Sequence, residues 1–277
     1  MCDSVIWILS AILRVGSERK DSKKDLTTPE VTMSGNENSF HTPLEKLYHE
    51  IHSCHICCPP MDPFKALRLT DAVEPNIDVF IVSQALAEKQ LRKSGVNFFN
   101  EGGILGDTGK RLELFLNRFN RTVYPTKAVT LDRGTMIRKA NASLISVYNS
   151  EITQCFPGKI EGKKGDRVPT AKEIGTCLGQ NFLKREIALI KPKLLLLMGN
   201  VSRIEFYNYF NGTCGTGGLQ VHMDNIVKSG SIPTHQIGET SVSVLPIQHA
   251  SGVNPAFNRM LKNDALIGLI RSVLERP

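Results

Sequence analysis

The sequence predicts an α/β fold: a three-layer sandwich in which a four-stranded, mostly parallel sheet is flanked by helices. Short apolar runs of strand length alternate along the chain with segments of helical periodicity. Two of the helical segments open with a capping box. Strands separated by helices are joined by crossovers, which favours parallel pairing and a sheet covered on both faces.

Residues 17–38 are polar and charged, with Lys20, Asp21, Lys23, Lys24 and Asp25 close together. Such a segment buries too little apolar surface to offset the entropy of ordering. Residues 1–40 are therefore expected to be a flexible N-terminal segment, and 41–277 one α/β domain. Thr42-Pro43-Leu44-Glu45 is a capping box with proline at the first helical position, opening a helix to about Ser53. Residues 78–82 form the first strand. Residues 108–119 are helical, with Leu112, Phe115, Leu116 and Phe119 on one face. Residues 146–152 form the second strand. Thr170-Ala171-Lys172-Glu173 is the second capping box and starts one helix to about Ile190. Residues 194–198, ended by Gly199, form the third strand, and 242–247 the fourth. Asn254-Pro255 begins a last helix with Met260, Leu261, Ile267, Ile270 and Leu274 as its apolar positions. The stretch 211–241 is glycine-rich and reads as an irregular surface excursion. In open sheets of this class ligands bind outside the carboxyl ends of the strands. That places a ligand site among residues 83–95, 154–170, 199–203 and 248–254.

Composition narrows the partners. Of 277 residues, 41% are hydrophobic and 22% charged, which is globular rather than disordered. Lys and Arg total 34 against 27 for Asp and Glu, a formal charge of +7. A basic balance favours a polyanion, because each phosphate neutralised by Lys or Arg releases a counterion. Residues 5–13 are apolar but too few to span a bilayer, and no basic residue precedes them as in a signal peptide. An intracellular protein, cytoplasmic or nuclear and without a membrane span, is expected. The N-x-S/T triplets at Asn120, Asn141, Asn200 and Asn211 are then chance matches.

The seven cysteines are Cys2, Cys54, Cys57, Cys58, Cys155, Cys177 and Cys214. An odd count in a chain of this length is a poor disulfide framework, and a reducing compartment fits better. Cys54-His55-Ile56-Cys57 is a C-x-x-C pair just past a helix end. Cys155 follows the second strand, and Cys177 lies in the first turns of the next helix. Two close and two distant cysteines can close a four-thiolate site for iron–sulfur or zinc. Cys155 and Cys177 can equally be ordinary buried thiols, and spacing does not choose between these.

A longer pattern carries a resemblance. Cys155-Phe156-Pro157-Gly158 is followed by Gly165-Asp166-Arg167-Val168-Pro169-Thr170, then Glu173-Ile174 and Cys177. Further on come Glu186-Ile187, Ile190-Lys191-Pro192-Lys193 and a leucine-rich strand ending at Gly199. Upstream stands Gly106-Asp107-Thr108-Gly109-Lys110-Arg111-Leu112, and downstream His249-Ala250-Ser251. In this order the elements resemble the iron–sulfur branch of the uracil-DNA glycosylase superfamily, from about Cys54 to the C-terminus. The resemblance implies a 4Fe–4S cluster on Cys54, Cys57, Cys155 and Cys177, with Cys58 as a substitute for Cys57. In that branch the cluster is structural, and the protein acts on DNA as a monomer.

His249 also has a case of its own. It follows the fourth strand, at the ligand edge of the sheet. Cleaving an N-glycosidic bond leaves an anionic base, and a histidine donor aimed at the base oxygen stabilises the charge that develops. Ser251 and Gly252 supply backbone N–H groups, and Asn254 caps the next helix, a setting that suits a phosphate.

The sequence departs from the family in its first motif. Where the family carries an acidic residue and a Pro-Gly pair, this chain has Ser83-Gln84-Ala85-Leu86-Ala87-Glu88. Gln84 can position water but is a poor base; Glu88, one turn on, is the candidate replacement. The family reads uracil with an asparagine at the position of Glu151. An ionised glutamate only accepts hydrogen bonds, so it repels a uracil oxygen and favours a base with an exposed amine. The family's stacking phenylalanine falls near Ile104, with Phe98 or Phe99 as stand-ins. Arg92, Lys93, Arg167 and Arg203 fall after strands or at helix starts and are candidate phosphate contacts.

Three functions remain open on these residues. The first is a glycosylase removing a damaged or deaminated base from DNA, as in base excision repair. The second is an iron–sulfur nucleic-acid-binding module with weak or no catalysis. The third is a zinc-stabilised nucleoside or nucleotide hydrolase.

Overall fold

A computed structural model describes residues 42–57, 62–65, 77–130, 136–162, 165–211, 217–252 and 254–276, with backbone alone at 62–65, 91 and 92. The expected flexible segment and Cys58 lie outside these residues. The described strands of the main sheet are β1 (Val79–Ser83), β2 (Tyr148–Glu151), β3 (Leu194–Met198), β4 (Thr234–Ile237) and β5 (Thr240–Ile247). They lie in the order β4-β5-β3-β1-β2. β5, β3, β1 and β2 run parallel, and β4 pairs antiparallel with β5. Around them are α1 (Pro43–Ser53), α2 (Glu88–Lys93), α3 (Asp107–Asn117), α4 (Ala171–Gly179), α5 (Phe182–Ile190), α6 (Asn200–Asn211), α7 (Leu219–Ser229), α8 (Pro255–Leu261) and α9 (Asp264–Leu274).

The three layers follow from strand alternation. Val79, Ile81, Leu194, Leu196, Leu245 and Ile247 face one way, onto Leu112, Phe115 and Leu116 of α3 and onto α7 and α9. Phe80, Val82, Leu195, Leu197 and Val244 face the other way, onto Ile174 of α4, Leu183 and Ile187 of α5, and Phe206 of α6. Every residue of β3 is buried. Burying one leucine is worth about 2 kcal/mol, so the leucine run of β3 anchors both layers.

Both capping boxes form, with Thr42 and Glu45 on α1 and Thr170 and Glu173 on α4. On the α5 side of β2, the buried Glu186 carboxylate accepts from the Tyr148 hydroxyl at 2.9 Å and the Ser150 hydroxyl at 2.5 Å. Pinning 148 and 150 to that face turns Asn149 and Glu151 to the opposite one.

The sheet has five strands, not the four expected. β4 lies in the stretch read as an irregular excursion, which also holds α7. Of β4 only Ile237 is buried, so this edge strand carries almost no apolar signal. Gly238, at φ 59°, begins the two-residue turn into β5. The single helix expected from 170 to 190 is two. Asn181 takes a left-handed conformation at φ 60° and separates α4 from α5, a conformation asparagine tolerates better than most residues. The last helix also divides, because the Asn263 side chain accepts from Leu266 N at 3.1 Å and caps a new start.

Candidate active site and cysteine junction

Beyond the carboxyl ends of β1, β3 and β5 lies a cleft of about 360 Å³. Ser83, Gln84, Asn97, Phe98, Met198 and His249 are among its lining residues. The cleft is where a mostly parallel sheet places a ligand.

His249 sits in the loop after β5. Its Nδ1 accepts a hydrogen bond from Ser251 N at 3.2 Å, so in the neutral ring the proton sits on Nε2. The residue is exposed at the cleft, yet the protein packed around it holds its pKa below the ordinary 6.5. The imidazole is therefore neutral at pH 7, with one N–H to donate. Gly199, which follows β3 at φ 92°, packs beside this ring; the left-handed backbone there favours glycine.

The loop carrying His249 is clamped by a residue the sequence did not single out. Arg111 of α3 donates to the carbonyls of Gly252 at 2.9 Å and Asn254 at 3.0 Å, and to Asn258 Oδ1 at 2.9 Å. Its guanidinium also lies 5.3 Å from the centre of the Phe257 ring. Asn254 caps α8 through Ala256 N and returns its amide to the His249 carbonyl at 3.0 Å. The signal was available, since Arg111 belongs to the glycine-bounded run preceding Leu112.

The opposite wall is residues 94–98. The Ser94 hydroxyl accepts from Val96 N at 3.1 Å and lies 2.6 Å from the Phe99 carbonyl. Phe98 is buried in the left-handed region at φ 70°, a costly conformation for a phenylalanine. Two glycines hold it, one by a hydrogen bond and one by leaving space. Gly106 N donates to the Phe98 carbonyl at 2.8 Å, and a Cβ on Gly109 would lie 2.5 Å from that oxygen.

The other candidates fall in different places. Gln84 lines the cleft, while its backbone carbonyl accepts from Thr153 N at 3.0 Å. Glu88 does not line it; it opens α2 and is ion-paired with Lys159, which also holds Asp166 at 3.0 Å. Glu151, only 1% exposed, lies behind the wall and accepts from the Asn97 side-chain amide. Ile104 is 62% exposed and is not a lining residue. Lys93 and Gly252 are exposed and Ser251 is half-buried; the Arg92 side chain is outside the described residues. Arg203 is buried, with its guanidinium on Asn200 Oδ1 and the Gly217 carbonyl. Arg167 lines the cleft but is paired with Glu173 through two hydrogen bonds of 2.7 and 2.5 Å. That guanidinium holds the Glu173 carboxyl at about 2, far below the ordinary 4.5.

Three of the four described cysteines gather in one cluster near the cleft. Cys57, Cys155 and Cys177 are buried in mutual contact. Cys54, half-buried, ends α1 and packs against Leu47, Ile51 and Phe182. Gln154 N donates to Cys177 Sγ at 3.3 Å. The neighbouring Cys57 thiol and burial push the Cys177 thiol upward. As their side chains stand, no three His, Cys, Asp or Glu groups among the described residues converge at metal-ligand geometry. As a donor set, three buried thiols in contact, with Cys54 three residues before Cys57 on the chain, suit a soft metal or an iron–sulfur cluster.

Fold and cleft define an α/β protein whose ligand site opens at the carboxyl edge of its sheet, with one histidine entering it. Residues 70–270 match the family model described as the Uracil DNA glycosylase superfamily, and the chain belongs to that superfamily. The match is to the superfamily and not to a branch of it. No curated protein matches the chain. Among the described residues no helix is long and apolar enough to cross a membrane.

Proposed function

We propose that this chain is a DNA glycosylase that hydrolyses the N-glycosidic bond of a damaged base other than plain uracil. The observation that carries the reading is His249, held neutral at the cleft with Nδ1 occupied and Nε2–H free to donate. Glycosidic cleavage moves negative charge onto the departing base. A fixed N–H aimed at the base oxygen binds that charge more tightly in the transition state than in the substrate. Gln84, in the same cleft, orients the attacking water through its amide. Lys93 and Gly252, both exposed, are the candidate contacts to the DNA backbone.

The departures in the first motif argue against plain uracil. The acidic position is glutamine, and Glu88 is engaged by Lys159. The same facts favour a second reading, in which the cleft binds DNA without cutting it.

Cys54, Cys57, Cys155 and Cys177 would hold a 4Fe–4S cluster. When bound, it would supply a cross-link between the end of α1, the chain after β2, and α4, and no step of the reaction.

The test is a strand-cleavage panel of uracil, hypoxanthine, xanthine and alkylated bases, each in mismatched duplex and single strand, where flipping costs least. Base release is expected from an alkylated base that keeps its exocyclic amine and not from uracil. His249→Ala is expected to lower it by about 10²–10³-fold, the worth of one such donor. Efficient activity on uracil alone would overturn the stated specificity. DNA binding with no release from any base would favour the second reading.

A further inference from the structure

The residue presented to the cleft is not the one at the position where the resembled family reads its base. Glu151 occupies that position but lies behind the wall, 1% exposed, whereas Asn97 is a lining residue. Resting on the proposed reading of the cleft as a base-binding site, we propose that Asn97 is its specificity-determining residue and Glu151 its positioning residue. Together they select a base presenting an exocyclic amine.

The argument is one of hydrogen-bond polarity. The Asn97 amide nitrogen donates to Glu151 Oε1, and Asn149 Nδ2 reaches the same oxygen at 3.3 Å. A carboxylate only accepts, so it decides which way round the Asn97 amide stands: NH₂ toward Glu151, carbonyl oxygen away. No hydrogen bond reaches Asn97 Oδ1 from any described residue. The cleft wall therefore presents an acceptor. A cytosine- or adenine-type edge answers it with an amine hydrogen. Uracil offers one N–H flanked by two carbonyl oxygens, and an acceptor repels those oxygens.

Two features keep the amide in place. β2 turns Glu151 to this side of the sheet because Tyr148 and Ser150 are pinned to Glu186 on the other. The wall cannot slide, because Phe98 is locked left-handed against Gly106 and Gly109 and the turn is closed by the Ser94 hydroxyl. The inference replaces a charged reader by a neutral one: the glutamate sets the polarity, and the asparagine shows it to the ligand.

The experiment measures binding and not cleavage, so it stands apart from the glycosylase reaction. The full chain is titrated by fluorescence anisotropy with two duplexes identical except for one mismatched cytosine or uracil. The wild type is expected to bind the cytosine duplex roughly five- to tenfold more tightly, the worth of about one hydrogen bond. Asn97→Ala is expected to bring that ratio to about one, with the salt dependence of binding unchanged, as phosphate contacts require. Glu151→Gln, nearly isosteric, frees the Asn97 amide to turn and is expected to lose or reverse the preference. Melting curves on each variant separate this from unfolding. A wild type that does not discriminate, or a folded Glu151→Gln that keeps the full preference, would overturn the proposal. Absence of any DNA binding would overturn the reading of the cleft with it. Discrimination without base release would overturn the glycosylase reading and leave the role of Asn97 standing.

Discussion

The cleft and the cysteine junction lie side by side but are built differently. The cleft is open, polar and held at arm's length: Arg111 clamps the loop of His249, and Ser94 and two glycines fix the wall of Asn97. Its polar side chains touch the ligand space, while the backbone of the neighbouring Phe98 carries the strain. At the junction the functional side chains are themselves the packing: Cys57, Cys155 and Cys177 are buried against one another. The Arg167–Glu173 pair joins the two regions, since Arg167 lines the cleft and Glu173 caps the helix that carries Cys177. Substitutions in the cleft should therefore change chemistry with the fold intact, and substitutions at the junction should change the fold first.

Three measurements would sharpen or break that contrast. The largest effect is expected from Cys155→Ala. Anaerobically purified wild type is expected to be brown, with about four irons per chain for one cluster. The variant is expected to lose the colour and to unfold at a much lower temperature. Colourless wild type would remove the cluster: zinc in it would make the junction a zinc site, and no metal would leave ordinary packed thiols.

Next is Arg167→Ala. It leaves a largely buried carboxylate without its partner, a loss of about 3 kcal/mol, read by denaturant unfolding. The pH dependence follows from the sign of the shift. Glu173 has a folded-state pKa of about 2 against an ordinary 4.5. Its stabilisation is fully present above 4.5 and is lost as pH falls from there through about 2. The stability gap between wild type and variant should therefore be full above pH 4.5 and shrink as pH falls toward 2; a gap that stays constant over that range would break the link.

The smallest effect is expected from Arg111→Ala. It frees the His249 loop without removing His249, so turnover should fall by about tenfold, equal to ~1.4 kcal/mol of lost positioning. A change in KM alone would mean that Arg111 acts on binding and not on the histidine.

The architecture was legible where burial writes itself into composition. The run Leu194–Met198 reads as a central strand because both its faces are covered. The two threonine capping boxes announce α1 and α4, since the residues that satisfy a helix end are local to it. β4 escaped because an edge strand with one buried residue has no such imprint. The break at Asn181 escaped because a single left-handed residue costs little in asparagine and leaves the apolar periodicity on both sides intact.

The sequence by itself determined the alternation of four parallel strands with helices, the superfamily, and the edge of the sheet at which His249 stands. These depend on patterns within a few residues and on chain order. Only the tertiary structure decided which side chains meet. It put Glu151 behind Asn97, paired Glu88 with Lys159, buried Arg203 and set Arg111 on the histidine loop. Each of these meetings joins residues whose contact depends on strand register, helix rotation or one left-handed backbone angle. Hydrogen-bond polarity is settled only after that geometry exists, so what the cleft presents to a base is a property of the fold.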